Sequence, residues 1–374
     1  MSDFIRKGWC PDAWRPMMAG DGLLVRVKPR LGRLTRDQAL ALADAAATHG
    51  NGLIDMTRRA NLQLRGVSDS GWPLLLERLL ALDLVDADAD REKRRNILVS
   101  PTWRQGDDSH RIAADLLAHL DELPAALPGK VGFVIDAGVA PLLHDQPGDF
   151  RIERSQTGEL MLRADNRSTG CAVTPGEEAD ALIALGRWFV ASGGLAVGRM
   201  TRHDAPLPGW ATGPLRAAPS AMLPWGKGAS YGLPFGRIDA ALLDRLATAL
   251  PPVSGLRITP WRILLLETPV AMQDNGLLTN PADPLLRVDA CPGQPACGQA
   301  SVDTRALARR LAPHMAGRLH VSGCAKSCAS AAPAAVTLTG RDGRYDLALN
   351  APAGSPPLRA ALDRAAVLAH FGAA

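Results

Sequence analysis

Long apolar runs are missing from this sequence. No stretch of eighteen apolar residues occurs, and the first ten residues mix charged and aromatic side chains. A membrane-spanning helix needs about twenty mostly apolar residues, and a secretory signal peptide needs an apolar core. We therefore expect no membrane span, no signal peptide and a cytoplasmic protein. The six cysteines are then poor candidates for disulfides, because the cytoplasm keeps thiols reduced.

Aromatic residues are also scarce, at 4% of the chain. No segment interleaves them with basic residues, as surfaces that stack nucleic-acid bases do. The formal net charge of +4 is modest and is compatible with a small anionic substrate. We expect no nucleic-acid partner.

Motifs that bind nucleotide cofactors are absent as well. Gly226-Lys227-Gly228 lacks the third glycine and the following helix of a dinucleotide-binding turn, and the sequence has no P-loop. Electrons from NADH would therefore have to arrive through a separate NADH-linked reductase or a ferredoxin. The eight histidines form no H-x-x-x-H pair. His320 is as compatible with a core position as with metal ligation.

The chain does contain enough apolar side chains for two or three domains, because 47% of its 374 residues are hydrophobic. A β-α-β pattern occurs twice and predicts a duplicated half-domain. Each copy has an opening segment, a helix and a closing strand, at 22–27, 35–49 and 53–64 and again at 232–237, 239–250 and 256–266. Any two β-α-β units look somewhat alike, so an unrelated pair is the alternative. A true repeat would pair into one pseudo-symmetric sheet domain.

The rest of the chain reads as mixed α/β sequence. We predict a helix at 107–123, a strand at 131–136, a helix at 175–192 and a Pro/Gly-rich linker or surface loop at 206–228. The predicted domains are 1–88 with the first half-domain, 89–220 as a middle α/β domain, 221–272 with the second half-domain, and 273–374 as an α/β domain that carries most of the cysteines.

Four of the cysteines form two pairs near the carboxyl end of the chain. Five residues separate Cys291 from Cys297, and three separate Cys324 from Cys328. Four converging thiolates are the ligands that a cubane [4Fe–4S] cluster requires, since soft sulfur ligands match iron–sulfide chemistry. The pattern predicts such a cluster.

Neighbouring residues favour the cluster. Gly293, Gly298 and Gly323 would let backbone N–H groups approach the sulfurs, and Lys326 would offset the negative charge. A structural zinc ion is one alternative, although zinc pairs usually have two to four intervening residues. Unrelated buried thiols are another, and we interpret the two remaining cysteines in that way.

The two cysteine pairs, combined with the duplicated β-α-β unit, resemble the sulfite and nitrite reductase superfamily over nearly the whole chain. The segments that carry the resemblance are 20–26, 289–293 and 319–326. The run from His320 to Lys326 resembles the precorrin-3B synthase branch, since the reductases usually have Gly-Cys-Pro-Asn at this place. The resemblance implies an α+β fold in which duplicated ferredoxin-like half-domains pair into one pseudo-symmetric domain, plus two α/β domains that form the cluster and substrate cavity.

Several residues depart from the reductase pattern. Arg59 matches the pocket arginine of the reductases, but Ala60 stands where they have glutamine. Lys130 matches the first of their two substrate lysines, and Gly132 replaces the second. A lost cation weakens binding of a small anion such as sulfite or nitrite. The 26 residues between Cys297 and Cys324 are also fewer than in the reductases, so the departures argue against a six-electron reductase.

The segment from Met56 to Arg65 reads as one alternating strand. The polar face, with side chains spaced about 6.6 Å apart, comprises Thr57, Arg59, Asn61, Gln63 and Arg65. Such a row matches a macrocycle fringed with carboxylates, because the planar fork of arginine binds a carboxylate through two hydrogen bonds. A solvated outer face of a half-buried sheet is the alternative.

By resemblance, the substrate-binding residues are Arg59, Arg95 and Lys130, with Gln63 and Asn61 on the same predicted strand face as Arg59. Arg95 matches the arginine of the Arg-Asn motif before the middle domain of the family. The alternatives are a solvated charge run for Arg95 and a strand-edge lysine for Lys130.

The resemblance implies a monooxygenase that acts on precorrin-3A with O₂ in cobalamin biosynthesis, and that hydroxylates the ring and forms a lactone. The implied cofactors are the [4Fe–4S] cluster and a mononuclear non-haem iron. The sequence indicates neither ligands for that iron nor a catalytic residue. The first alternative is a sirohaem-dependent assimilatory sulfite or nitrite reductase, in which Cys328 would bridge cluster and sirohaem. The second is a tetrapyrrole carrier or electron-transfer module.

Overall fold

The computed structural model describes residues 9–374. The first part of the chain forms β1 (Met17–Ala19), β2 (Gly22–Val27), β3 (Arg33–Thr35), α1 (Arg36–His49), β4 (Leu53–Met56), β5 (Leu62–Val67), α2 (Gly71–Ala81) and α3 (Ala89–Arg94). The next part forms β6 (Ile97–Val99), α4 (Asp108–Ala118), β7 (Phe133–Asp136), β8 (Phe150–Arg154), β9 (Leu160–Ala164), β10 (Cys171–Ala172), α5 (Glu178–Ala191) and α6 (Gly194–Val197).

Most of these elements recur in the same order in the second half of the chain. Its elements are β11 (Ser230–Gly232), β12 (Arg237–Asp239), α7 (Ala240–Thr248), β13 (Gly255–Ile258), β14 (Ile263–Leu266), β15 (Val288–Ala290), α8 (Arg305–Leu311), β16 (Leu319–Ser322), β17 (Ala334–Arg341), β18 (Arg344–Ala351), β19 (Arg359–Leu362) and α9 (Arg364–His370). No helix within 9–374 is both long enough and apolar enough to cross a membrane.

The helices of the two half-domains begin where the sequence predicts. The Thr35 side chain accepts a hydrogen bond from the Gln38 backbone, and the Gln38 side chain accepts one from the Thr35 backbone, which forms the expected capping box of α1. Asp239 caps α7 in a similar way by accepting from the Leu242 N–H. The two helices pack against each other.

The half-domains exchange one short strand each. One sheet has the order β1-β2-β5-β4-β12, and the other has the order β11-β14-β13-β3. The strand β12 of the second copy pairs with β4 of the first, and β3 of the first copy pairs with β13 of the second. Both sheets and both helices share one buried core. The predicted α+β fold with duplicated half-domains in one pseudo-symmetric domain is therefore confirmed.

The closing strand of each copy is a hairpin rather than one strand, so the prediction of a continuous strand through 56–65 was wrong. Thr57 Oγ1 accepts hydrogen bonds from the backbone N–H groups of Arg59 and Asn61. Thr259 Oγ1 likewise accepts hydrogen bonds from the backbone N–H groups of Trp261 and Ile263. A threonine hydroxyl that bonds to nearby backbone groups offers the chain a turn in place of a strand. Each turn also contains a left-handed residue, with φ of 53° and 63°.

The duplication extends beyond the half-domains, which the sequence did not reveal. The middle sheet has the order β10-β9-β8-β7-β6, and the last sheet has the order β15-β16-β17-β18-β19. In each, three parallel strands are followed by two antiparallel ones. A helix joins the first two parallel strands in both, α4 in the middle domain and α8 in the last. Both α/β domains therefore share one topology.

The half-domains contact the two α/β domains in equivalent ways. Leu31 of the first copy packs on the core of the middle domain and accepts a hydrogen bond from Trp103 Nε1 through its carbonyl. Phe235 of the second copy lies in the core of the last domain. Both residues have left-handed φ angles, of 52° and 57°. The predicted domain boundaries stay predictions.

Elements of the middle domain are shorter than the sequence predicts. The predicted helix at 107–123 ends as α4 at Ala118 and continues only as a short 3₁₀ turn. The predicted strand at 131–136 begins at Phe133, and the predicted helix at 175–192 begins at Glu178. The predicted linker at 206–228 is irregular apart from a 3₁₀ turn at Gly209–Ala211.

Candidate functional site

The four cysteines lie at one edge of the last sheet. Cys291 directly follows β15, and Cys324 follows β16 after one residue. These strands are parallel neighbours, so their carboxyl ends meet at the same edge. Burial raises the pKa of the Cys324 thiol and of the Cys328 thiol, and the charges of Cys291 and Cys297 raise it further. The fold thus brings together two pairs that are distant in sequence.

Glycines allow a close approach at two points of this edge. Gly293 has a left-handed φ of 68°, and a Cβ there would lie 2.6 Å from Thr304 Oγ1. A Cβ at Gly323 would lie 2.5 Å from the Cβ of Ala300. The Gly323 N–H donates a hydrogen bond to Cys291 Sγ at 3.2 Å. At Gly298 an added Cβ would meet no atom within 4 Å, so the close approach expected there is not observed.

The thiols differ in their exposure. Cys291 is buried, Cys297 and Cys324 are half-buried, and Cys328 is exposed. Loss of water around the sulfurs raises the pKa of both Cys324 and Cys328, while Lys326 acts in the opposite direction. Iron binding favours the thiolate form of a coordinating cysteine. A cation beside the second pair therefore suits the negative charge of bound thiolates.

A single ion and a cluster require different arrangements of the four cysteines. Among residues 9–374, no three His, Cys, Asp or Glu side chains form a group that could hold one metal ion. A zinc site needs its sulfurs about 2.3 Å from one ion. A cubane cluster takes one thiolate at each of four iron atoms, so its ligands lie farther apart. The two cysteine pairs, with a backbone N–H already directed at one sulfur, are compatible with a [4Fe–4S] cluster.

The Gly20-Asp21 segment of the family resemblance supports the first cysteine loop. The Gly20 N–H donates to the carbonyl of Ala296, and a Cβ at Gly20 would lie 2.5 Å from the Pro295 carbonyl oxygen. Asp21 accepts two hydrogen bonds from Arg65, whose Nη2 also donates to Ala296 O at 3.0 Å. Arg65 therefore anchors the loop before Cys297 and does not belong to an open polar face.

Arg59 lies at the tip of the first hairpin and reaches the middle domain. Its Nη2 donates to the carbonyl of Lys130 at 2.9 Å. A Cβ at Gly132 would lie 3.6 Å from Arg59 Nη1. Gly132 stands where the reductases have their second substrate lysine, and its lack of a side chain leaves room for the Arg59 guanidinium. Burial lowers the pKa of Arg59, and the charge of Arg199 lowers it further. Lys130 itself is half-buried in the turn before β7.

Arg26 is a candidate that the sequence analysis missed. It faces Gln63 across β2 and β5, and its Nη2 donates to Gln63 Oε1 at 2.8 Å. Its Nε is buried and has no hydrogen-bond partner in the described structure. Burial lowers its pKa, although Cys10 nearby raises it. The alternation in β2 buries Leu23, Val25 and Val27 and places Arg26 on the other face. This alternation in the sequence could have identified Arg26 as a candidate.

The small pocket at Arg59 lies between the hairpin and the middle domain. Its lining includes Arg59, Asn61, Asn96 and Gly132. The cavity volume is about 10 Å³, which is room for about one water molecule. The pocket is therefore too small for any ligand much larger than water.

The expected role of Arg95 in substrate binding disagrees with its position. The side chain is 3% exposed. It forms a salt bridge with Glu92 and donates to the carbonyls of Lys28 and Leu84. Because its guanidinium is committed to buried internal partners, Arg95 stabilises the junction between the first half-domain and α3.

Comparisons with known proteins agree with this architecture. Residues 15–82 match the model of the nitrite/sulfite reductase ferredoxin-like half domain. A precorrin-3B synthase of Sinorhizobium sp is 30% identical over 94% of this chain and 85% of its own length. The chain belongs to the precorrin-3B synthase family. Members of this family are enzymes.

Two further proteins are similar to this chain. A ferredoxin–nitrite reductase of Synechococcus elongatus is 32% identical over 39% of this chain and 30% of its own length. The structure of the NirA protein of Mycobacterium tuberculosis superposes with a TM-score of 0.62 at 17% identity, and the match covers 90% of this chain and 77% of that one. At such low identity the structural match concerns the fold alone.

Proposed function

We propose that this chain is a precorrin-3B synthase-type monooxygenase of cobalamin biosynthesis. It would use O₂ to hydroxylate precorrin-3A and form a lactone. Membership in the precorrin-3B synthase family supports the substrate class. The observation that carries the proposal is the combination of two cysteine loops at adjacent strand ends with a half-domain in which the buried Nε of Arg26 has no hydrogen-bond partner among the described residues.

Cys291, Cys297, Cys324 and Cys328 would hold the [4Fe–4S] cluster. Such a cluster supplies single electrons to the oxygen chemistry when it is bound. The Gly323 N–H, 3.2 Å from Cys291 Sγ, would stabilise negative charge on that sulfur, because hydrogen bonds to the sulfurs tune the potential of a cluster. Electrons would reach the site from a separate NADH-linked reductase or a ferredoxin.

Arg59 and Arg26 would bind carboxylates of the tetrapyrrole. A guanidinium binds a carboxylate through two parallel hydrogen bonds, and Arg26 Nε has no partner in the described structure. Both groups are largely shielded from water, which strengthens their attraction for an anion. Gln63 orients Arg26, while Asn61 and Lys130 border Arg59. These contacts would fix the ring relative to the cysteine loops.

The implied mononuclear iron has no fitting ligands in the described structure. No group of three or more His, Cys, Asp or Glu within 9–374 could hold a single ion. We therefore assign no residue to such an iron and route no step through it.

The decisive experiment combines metal analysis with oxygen uptake. Protein purified without oxygen should contain iron and acid-labile sulfide in equal amounts, and it should consume O₂ only when precorrin-3A and a reductant are both present. Mass spectrometry of the product should show the added oxygen. Iron and sulfide without any substrate-dependent oxygen consumption would indicate a carrier or an electron-transfer module instead.

A sirohaem-dependent sulfite or nitrite reductase is the second candidate, because part of the chain is similar to a ferredoxin–nitrite reductase and to the nitrite/sulfite reductase half domain. In that case Cys328, the exposed member of the four cysteines, would bridge cluster and sirohaem. The contact between Gly132 and Arg59 opposes this candidate, because the second family lysine is missing at that place. Strong chlorin-type absorption bands and reduction of sulfite or nitrite would decide in favour of the reductase.

A further inference from the structure

A second basic cavity lies between the second half-domain and α8. Its volume is about 550 Å³, which is within the range of small-molecule sites. Five arginines line it together with Phe235, and they are Arg237, Arg305, Arg309, Arg310 and Arg364. None of the four paired cysteines and none of the residues around Arg59 contributes to the lining. The cavity is therefore separate from the site described above.

The lining carries a large excess of positive charge. Its one carboxylate belongs to Asp239, and that group already accepts the Leu242 N–H as the cap of α7. Arg237 and Arg305 share the buried carboxylate of Asp55, and Arg364 forms a salt bridge with Asp303. Arg309 and Arg310 are exposed, so their positive charge lies at the open rim of the cavity, where it attracts anions.

Three of the guanidinium groups retain free hydrogen-bonding capacity. Arg305 Nε is buried without a partner in the described structure. Arg309 lies 5.6 Å from the centroid of the Phe235 ring, and no carboxylate within 9–374 lies within salt-bridge distance of it. Arg310 donates only to the carbonyl of Ala373 among the described residues. Each of these three guanidinium groups thus keeps at least one N–H donor for a ligand at the concave surface.

We propose that this cavity binds a small molecule that carries two or more carboxylate or phosphoryl groups. The planar fork of arginine matches both kinds of oxyanion through paired hydrogen bonds. Arg309 and Arg310 contact the anion at the rim, and Arg305 contacts it from the wall. Phe235 supplies an apolar surface below the guanidinium groups of Arg305 and Arg309, which lie 5.9 Å and 5.6 Å from its ring centroid.

Calorimetric titration of the purified protein with its cofactors tests the proposal. Pyrophosphate and citrate serve as separate probes, and the probe that binds with the higher affinity identifies the preferred oxyanion. We expect saturable binding of at least one probe. Arg309→Ala should weaken it at least about tenfold, because a charge-assisted hydrogen-bond pair is lost. Arg309→Lys should retain part of the affinity, since the charge remains and the fork does not.

Arg104→Ala is the matched control, because Arg104 is an exposed arginine of the middle domain outside the cavity. It should bind both probes as the wild type does. Equal losses in Arg104→Ala and Arg309→Ala would overturn the proposal, since binding would then follow net charge alone. If neither probe bound saturably, the proposal would also be overturned, and the basic surface would then fit an acidic protein partner instead. Unchanged iron content and circular dichroism verify that each variant is folded.

Discussion

Asp55 holds three parts of the structure together, and its replacement tests the packing of the whole fold. The side chain is buried, with 4% of the residue exposed. Its carboxylate faces Arg65 at 3.4 Å, Arg237 at 2.9 Å and Arg305 at 3.1 Å. These arginines belong to the first half-domain, the second half-domain and α8 of the last domain. One carboxylate therefore faces three buried or half-buried cations at a domain junction, of which Arg65 also pairs with Asp21.

The substitution Asp55→Asn keeps the size of the side chain and removes its charge. Loss of one partner from a buried ion pair costs about 3–5 kcal/mol, because uncompensated charge stays buried. Since a typical protein has only about 5–15 kcal/mol of net stability, the loss is a large fraction of it. With a urea dependence of about 1–3 kcal/mol per molar, the unfolding midpoint should fall by at least about 1 M.

The pH dependence gives a second measurement. Burial alone would raise the pKa of Asp55, but Arg305, Arg237 and Arg65 outweigh it and lower the pKa. A carboxylate with a lowered pKa in the folded state stabilises fully above its unfolded pKa of about 3.9, and it loses this contribution as the pH falls through the folded value. The difference between wild type and Asp55→Asn should be constant at neutral pH and shrink below about pH 4.

Asp44→Asn is the matched control, because Asp44 pairs with Arg78 at 2.5 Å on the surface, with their side chains 60% and 36% exposed. Exposed pairs contribute at most about 1 kcal/mol, so its urea midpoint should shift by at most about a third of the shift expected for Asp55→Asn. If urea unfolding followed by tryptophan fluorescence gave the same small shift for both variants, the three-way ion pair would not be the junction we describe.

Three further predictions concern the candidate site. Arg59→Ala should weaken precorrin-3A binding at least about tenfold and leave the absorption of the cluster unchanged. As a control, substitution of its exposed neighbour, Arg58→Ala, should change neither the binding nor the absorption. If Arg59→Ala also lost the cluster, the role of Arg59 would be structural. Cys328→Ser should lower iron and sulfide content, and full content would remove Cys328 from the ligands. Gly323→Ala should also lower cluster content, because its Cβ would lie 2.5 Å from that of Ala300; normal content at normal stability would refute the close-packing argument.

Local chemistry made part of this structure readable from the sequence. The capping box at Thr35 and Gln38 depends on residues three positions apart, so α1 begins where predicted. The cysteine pairs depend on spacing and on the preference of iron for sulfur, so the sequence alone predicts a cluster, and the structure brings both pairs to one sheet edge. The duplicated half-domain was readable because an opening segment, a helix and a closing strand recur in the same order in both copies.

The hairpin tips were misread because alternation continues on both sides of the turn. Thr57 and Thr259 bend the chain through side-chain bonds to the backbone, and the pattern of apolar residues does not record such bonds. As a result Arg59 lies at a tip beside the middle domain, and Arg65 lies in a salt-bridge network.

The sequence by itself determined the elements whose cause is local: capped helices, amphipathic strands and cysteine pairs of fixed spacing. Only the tertiary structure decided which distant groups meet. It determined the strand exchange between half-domains, the common topology of the two α/β domains, the pairing of Arg26 with Gln63, and the internal salt bridge that commits Arg95. The physical reason is that packing between distant segments selects the partner of each buried charge and of each exchanged strand. Such packing does not produce a periodic pattern in the sequence.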